Sequence, residues 1–169
     1  MNVPRRTVLV GGAALALAAC SSSSSGKFKR YDGPEVTRLQ IVKNRRKLYV
    51  FNGQTLLRDY KIHLGNVAEG PKRFRGDGKT PEGTYLIDRR NPRSLYHLSL
   101  GISYPNERDM AYAAYYQKDP GGDIFIHGGP NEGDKRGKDW TAGCIAVKDE
   151  QMEDIYAMVR LGTPIDIFA

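Results

Sequence analysis

Short runs of alternating apolar and polar residues cover most of the chain after Val36. A period of two residues is typical of strands that bury one face and expose the other to water. Strands are therefore predicted at residues 39–43, 47–51, 56–62, 84–88, 96–104, 123–129, 140–147 and 164–168. Between the second and third runs, Asn52 and Gly53 favour a tight hairpin, because both residues tolerate positive backbone angles. Residues 69–82, rich in Gly, Lys, Arg and Pro, predict a surface loop.

Two segments depart from this period and favour helices. Residues 109–116 predict a short helix. Residues 150–161 predict a firmer one, with Asp149 as its N-cap and Gly162 just after its end. The apolar residues that recur on one face of this second helix are Met152, Ile155, Tyr156 and Val159. The whole pattern indicates a single, mainly β domain over residues 36–169, without internal repeats.

The segments before this domain have a different composition. Residues 1–19 have a basic start, an apolar middle and a small-residue end, which is typical of an export signal peptide. Their apolar part, residues 7–19, is shorter than the roughly 20 residues that a membrane-spanning helix requires. Residues 20–35 begin with a serine run that has almost nothing to bury, so they are predicted to form a flexible tether.

Net charge narrows the range of partners. The chain carries a formal charge of +7, and the loss of Arg5 and Arg6 with the signal peptide lowers it to +5. Those two arginines suit either the general export route or the twin-arginine route. An exported basic protein meets anionic polymers and carboxylate-rich wall peptides rather than nucleic acid. An ordinary solvated basic surface is the alternative interpretation.

The sequence contains only two cysteines. Residues 17–20 resemble the lipobox of bacterial lipoproteins, which implies that Cys20 is linked to diacylglycerol and becomes the first residue of the mature chain. The same resemblance implies a location at a membrane, facing the periplasm or cell wall. Cys144 then has no disulfide partner within the chain, although the compartment permits disulfides, so its thiol calls for a functional explanation.

His127 and Cys144 form the candidate catalytic pair. His127 ends an apolar run and Cys144 enters the next one, so a loop that folds back brings them together. An imidazole that accepts the thiol proton generates the thiolate that attacks acyl carbons. Gly143 removes side-chain bulk beside the sulfur, and the N–H groups of Gly143 and Cys144 are candidate oxyanion donors. The alternative is that His127 is a hydrogen-bonded core histidine and Cys144 a small buried residue, and that neither takes part in catalysis.

His127-Gly128, followed after a loop by a Thr-x-Gly-Cys motif at residues 141–144, resembles the active-site signature of the L,D-transpeptidases of the YkuD type. Residues 79–85 and 120–122 resemble the same family in the same order. The resemblance implies a β-sandwich or barrel-like catalytic domain with one or two short helices. It also implies that Cys144 forms a thioester with a peptidoglycan tetrapeptide stem. His127 would shuttle protons, and the Gly128 carbonyl would orient its ring.

The resemblance further implies that Thr141, His97 and Tyr96 bind substrate. Ala142 and Ala146 depart from the commonest form of the signature, which leaves the acceptor open. Residues 99–106 and 143–147 resemble a subgroup that includes hydrolases releasing wall-bound lipoprotein. The acceptor is then a stem amine, a lipoprotein lysine or water, and the water-using form is an L,D-carboxypeptidase or amidase.

Two other function classes are compatible with parts of the sequence. A wall-binding module without turnover would keep the fold and the basic face, but both His127 and Cys144 are present. A zinc site would have to gather His63, His97, His127 and Cys144, and these residues lack the paired spacing of metal ligands. No metal or cofactor is therefore predicted.

Overall fold

Eight strands and two α-helices make up the part of the chain that the computed structural model describes, namely Met1 and residues 26–129 and 136–169. The strands are β1 (Arg38–Val42), β2 (Lys47–Asn52), β3 (Thr55–Lys61), β4 (Gly83–Asn91), β5 (Ser99–Ile102), β6 (Phe125–His127), β7 (Ile145–Ala146) and β8 (Pro164–Phe168). The helices are α1 (Glu107–Tyr115) and α2 (Asp149–Met158), and a short 3-10 helix covers Lys43–Arg45. The predicted mainly β class is confirmed, and each predicted strand overlaps an observed one.

The strands form one sheet in the order β3-β2-β1-β8-β4-β5-β6-β7. β4 connects its two parts, because its first half pairs with β8 and its second half pairs with β5. Beyond β3, His63 pairs with Ala146 and Gly65 pairs with Thr141, so the chain next to one end of the sheet contacts the other end. The sheet is therefore curled into a half-barrel, as the barrel-like prediction requires.

The core lies inside this curl and beneath α2. Alternate residues of β1 and β2 point inward, and Leu39, Ile41, Leu48 and Val50 are fully buried. α2 packs against β5 and β6, and its buried residues include three of the four on the predicted apolar face. Burying one such aliphatic side chain contributes roughly 1.5–3 kcal/mol. The same face therefore fixes the start of α2 next to the end of β6.

Several local predictions were imprecise. Asp149 is the first residue of α2 and not its N-cap, which is Lys148, because the Asp149 carboxylate accepts a hydrogen bond from Gly129 in another loop. The hairpin turn consists of Gly53 and the next residue, while Asn52 still pairs with Thr55. The strand predicted at 96–104 shortens to Ser99–Ile102.

The end of the predicted tether lies against the domain. Lys27 Nζ donates to the carbonyl of Pro92 at 2.6 Å, and Lys29 Nζ forms an ion pair with Asp154 at 2.7 Å. The signal peptide predicted at residues 1–19, apart from Met1, lies outside the described residues, as does Cys20. Within the described residues, none of the helices has the length and apolar character needed to cross a membrane.

Candidate active site

β6 and β7 bring the two predicted catalytic residues to one face of the sheet. The strands are parallel, with Ile126 opposite Ile145 and His127 opposite Ala146. Cys144 immediately precedes β7, so in this register it lies next to Phe125, two residues before His127. Because side chains alternate between the faces of a strand, Cys144 and His127 share a face. Both residues line a single cavity of about 310 Å³.

The His127 ring is held in a defined orientation. Its Nδ1 lies 2.7 Å from the carbonyl oxygen of Gly128, so Nδ1–H donates and Nε2 keeps its lone pair. Tyr96 stacks on the imidazole with 4.5 Å between ring centroids, and Trp140 meets it edge-on at 5.6 Å. The histidine is only 4% exposed. The arrangement supplies a fixed base whose free nitrogen is Nε2.

The surroundings keep this base neutral. Burial lowers the pKa of His127 below its ordinary value of 6.5, and the hydrogen bond to Gly128 opposes this effect. The positive charge of Arg136 lowers the pKa further, whereas the negative charge of Asp149 raises it. The net result is a neutral imidazole near pH 7, which is the form that accepts a proton.

Cys144 is a free, half-buried thiol at the same cavity. Its Sγ lies 3.5 Å from the carbonyl oxygen of Asp123, a residue in the left-handed region with φ of +56°. Burial raises the pKa of the Cys144 thiol above 9.0, a hydrogen bond with the Phe125 backbone opposes this effect, and the Asp123 charge reinforces it. The resting site therefore holds a thiol and a neutral imidazole rather than a preformed ion pair.

A tight turn presents Cys144 to the cavity. The Thr141 hydroxyl donates to the Cys144 carbonyl at 2.7 Å and accepts the Gly143 N–H at 3.2 Å. Gly143 has φ of +140°, and a Cβ there would lie 2.6 Å from the carbonyl oxygen of Lys79. Only glycine fits this position. The Gly143 N–H, a candidate oxyanion donor, is bonded inside the turn, while the role of the Cys144 N–H stays a prediction.

Comparison with known proteins shows the family of this chain. Residues 37–167 match the family model described as YkuD, the L,D-transpeptidase catalytic domain. The chain belongs to the YkuD family of L,D-transpeptidases. Part of it is also similar to YafK of Escherichia coli strain K12, a protein assigned to the L,D-transpeptidases, with 33% identity over 127 residues. That match covers 72% of this chain and 46% of YafK.

Two solved structures are similar to the domain in sequence as well as in fold. The helical cell shape determining protein Pgp2 from Campylobacter jejuni has a TM-score of 0.62 and 27% identity, covering 81% of this chain and 49% of Pgp2. Bd1075 from Bdellovibrio bacteriovorus has a TM-score of 0.58 and 26% identity, covering 83% of this chain and 50% of Bd1075. The chain thus spans about half the length of the relatives it matches.

Three further predicted residues of this L,D-transpeptidase domain take different positions. Tyr96 lines the cavity beside His127, where a substrate-binding residue is expected. Thr141 is buried, and its hydroxyl is engaged by the turn rather than by the cavity. His97 does not line the described cavity, because its Nε2 bonds Glu153 of α2 at 2.9 Å. Thr141 and His97, which were predicted to bind substrate, therefore do not line the described cavity.

The sequence did not indicate Asp149 as a site residue. Its carboxylate accepts the Gly129 N–H at 2.9 Å, and a Cβ added to Gly128 would contact the same carboxylate. Asp149 thus supports the peptide that follows His127. Its position at the start of a helix predicted an N-cap. Its contact with the peptide after His127 arises only because α2 packs on β6. Among the residues described, no three His, Cys, Asp or Glu side chains are grouped as metal ligands.

Proposed function

We propose that this L,D-transpeptidase domain is a cysteine acyltransferase that acts on peptidoglycan stem peptides through a thioester at Cys144. One observation carries the proposal: Cys144 and His127 line the same cavity while Nδ1 of His127 is committed to the Gly128 carbonyl. Nε2 is then the nitrogen that accepts the thiol proton. Family membership supports stem peptides as the substrate class.

In the acylation step, the amide between the third-position diamino acid and the following D-alanine enters the cavity. Sγ of Cys144 attacks the amide carbonyl carbon as Nε2 of His127 takes the thiol proton. The tetrahedral intermediate then collapses, the C–N bond breaks, and the imidazolium returns the proton to the departing D-alanine amine. A thioester and a neutral His127 remain, so charge and protons balance.

In the second step, an acceptor attacks the thioester carbonyl carbon as Nε2 of His127 removes a proton from that acceptor. The C–S bond then breaks, and the imidazolium returns the proton to the Cys144 sulfur, which restores the thiol and the neutral His127. A stem amine gives a cross-link, a lipoprotein lysine gives an anchor, and water gives an L,D-carboxypeptidase or amidase. Ala142 is exposed but carries only a methyl group, and Ala146 is fully buried with its backbone bonded to His63. Neither side chain has a polar group for holding an amine acceptor, which supports water as the alternative acceptor.

The test of the catalytic pair uses purified disaccharide-tetrapeptide and mass spectrometry of the products. We expect Cys144→Ala to release no D-alanine, and His127→Gln to lower kcat by about 10³-fold because proton transfer is lost. His63→Gln is the matched control, since His63 accepts a bond from the Asp139 N–H at Nδ1 and does not line the described cavity.

The product masses identify the acceptor in the same experiment. A dimeric muropeptide indicates transpeptidation, whereas a tripeptide with free D-alanine indicates hydrolysis. Unchanged D-alanine release in Cys144→Ala, with the variant folded, would rule out the thioester. Wall binding without release of D-alanine by the unchanged chain would instead favour the wall-binding module.

We also propose that the chain is an exported lipoprotein that faces the periplasm or cell wall. The basic and apolar character of residues 1–19 and the lipobox resemblance that ends at Cys20 support this location. A lipid on Cys20 would keep the domain near the membrane. A wall-bound lipoprotein is then a partner within reach, in addition to the stem peptides.

A further inference from the structure

One lysine of the N-terminal segment joins both ends of a loop at the active site. Residues 92–98 connect β4 to β5, and loop 92–97 is this connection without Leu98. Lys27 Nζ donates to the carbonyl of Pro92 at 2.6 Å and to the carbonyl of His97 at 3.2 Å. These are the first and last residues of the loop. Because the donor is charged, both bonds are stronger than ordinary amide hydrogen bonds.

Loop 92–97 shapes the cavity and the environment of the base. Ser94, Leu95 and Tyr96 line the cavity, and Leu95 is 99% exposed, so burial does not hold it in place. Tyr96 stacks on the His127 ring, and its carbonyl accepts the Gly128 N–H at 3.0 Å. A displacement of the loop therefore moves Tyr96 relative to both the base and the peptide that orients the base.

α2 holds the N-terminal segment and the loop together. Lys29 Nζ pairs with Asp154 at 2.7 Å and with Glu153 at 3.4 Å. The same Glu153 side chain bonds His97 Nε2 at 2.9 Å, so it bridges the N-terminal segment and the end of the loop. His97 has φ of +68°, a conformation that a non-glycine residue keeps only when its surroundings hold it.

We propose that Lys27 is a positioning residue of the active site: its ammonium group fixes loop 92–97, and through Tyr96 it fixes the His127 ring. Lys27 does not line the described cavity, so it acts through the loop and not on the substrate. The effect on turnover rests on the proposed function, whereas the effect on the loop does not. The end of the predicted tether is then part of the catalytic unit.

The chain contains a built-in reporter of this loop. Trp140 is the only tryptophan, and its ring lies 5.6 Å from both Tyr96 and His127, measured between centroids. Its emission and its quenching by acrylamide therefore report how the loop packs on the base. Neither measurement needs peptidoglycan, so the positioning role is testable even if the substrate assignment fails.

The experiment compares Lys27→Met, Lys27→Arg and Lys47→Met in the full chain. Lys47 is the control, because it pairs with Asp59 at the other end of the sheet. We expect Lys27→Met to increase acrylamide quenching of Trp140 and to lower kcat/KM for D-alanine release about tenfold, since small misplacements of catalytic groups are costly. Lys27→Arg should stay within about twofold of the unchanged chain, because a guanidinium also donates to two carbonyls.

Three results would overturn the proposal. The first is unchanged Trp140 quenching and kcat/KM in folded Lys27→Met. The second is a loss of turnover without any change in quenching, because the effect would then bypass Tyr96. The third is an equal loss in Lys47→Met. If Lys27→Met does not fold, Lys27→Gln replaces it, and the same readouts apply.

Discussion

At the scale of single residues, the candidate site combines a buried imidazole with a thiol whose pKa is raised by burial. The His127 ring has one nitrogen bonded to the Gly128 carbonyl, Tyr96 stacked on it, and Trp140 in edge contact with it. This packing removes the rotational freedom of the ring before substrate arrives. Burial disfavours charge on both His127 and Cys144. In the proposed mechanism, proton transfer from sulfur to Nε2 is therefore coupled to the attack on the amide.

This coupling predicts that turnover and thiol alkylation depend on pH in two separate ranges. We expect kcat/KM to rise with pH along an acid limb whose midpoint lies below 6.5, because burial lowers the pKa of His127 and the neutral form is active. Alkylation of Cys144 by iodoacetamide without substrate should rise with pH along a limb whose midpoint lies above 9.0. Turnover rates measured by stopped flow define the acid limb, and alkylation rates define the second limb. Both are measured between pH 5 and pH 10, in steps of about one pH unit.

His127→Gln is the control for the assignment of the acid limb. Its residual turnover should lose that limb, since glutamine does not titrate. Rapid alkylation of Cys144 near pH 7 in the unchanged chain would contradict a protonated thiol, and would indicate a thiolate and imidazolium pair instead.

At the scale of elements, a turn and not a strand positions Cys144, the proposed nucleophile. The apolar pattern predicted a strand over residues 140–147, whereas β7 contains only Ile145–Ala146. The preceding residues form the turn in which the Thr141 hydroxyl bonds both the Gly143 N–H and the Cys144 carbonyl. A hydroxyl that bonds the local backbone competes with strand pairing, and here it replaces it.

Thr141→Val tests this turn, because valine keeps the shape of threonine and lacks its hydroxyl. One buried and one half-buried backbone group lose their partner, so we expect a loss of about 2 kcal/mol in the free energy of unfolding. Turnover should fall about tenfold, because the sulfur moves relative to Nε2. Urea denaturation and D-alanine release measure the two effects. Thr141→Ser keeps the hydroxyl and is the control, and equal behaviour of the Val and Ser variants would contradict the role.

The difference between local and long-range contacts explains how far sequence patterns predict this fold. The β2–β3 hairpin and the apolar face of α2 follow from short-range periodicity, and both were predicted. The parallel pairing of β1 with β8, in which Leu39 lies opposite Ile165, joins segments more than a hundred positions apart. Local patterns carry no information on such pairings. The second role of Asp149 escaped prediction for the same reason, because it exists only after α2 packs on β6.

At the scale of the whole molecule, the site lies where the curled sheet closes. His63 pairs with Ala146 beside β7, and the Lys79 carbonyl approaches Gly143 from the loop at residues 69–82. That loop was predicted to be a surface loop, yet Lys43, only 2% exposed, bonds the carbonyls of its Gly70 and Thr80. A buried ammonium with several oxygen partners holds a loop firmly. The turn that carries Cys144 thus packs against a loop that is held in place.

The contacts of Lys27 also limit how far the domain can lie from the lipid that we propose on Cys20. Seven residue-to-residue steps join position 20 to position 27, and a fully extended chain of that length spans at most about 25 Å. We expect Cys20→Ala to move the protein from the membrane pellet to the soluble fraction of fractionated cells. Purified Cys20→Ala should retain its kcat/KM on soluble disaccharide-tetrapeptide, because the cavity lies in the domain and lipid supplies only location. Ser25→Ala is the control, and a Cys20→Ala protein that stays in the pellet would contradict lipid anchoring at this residue.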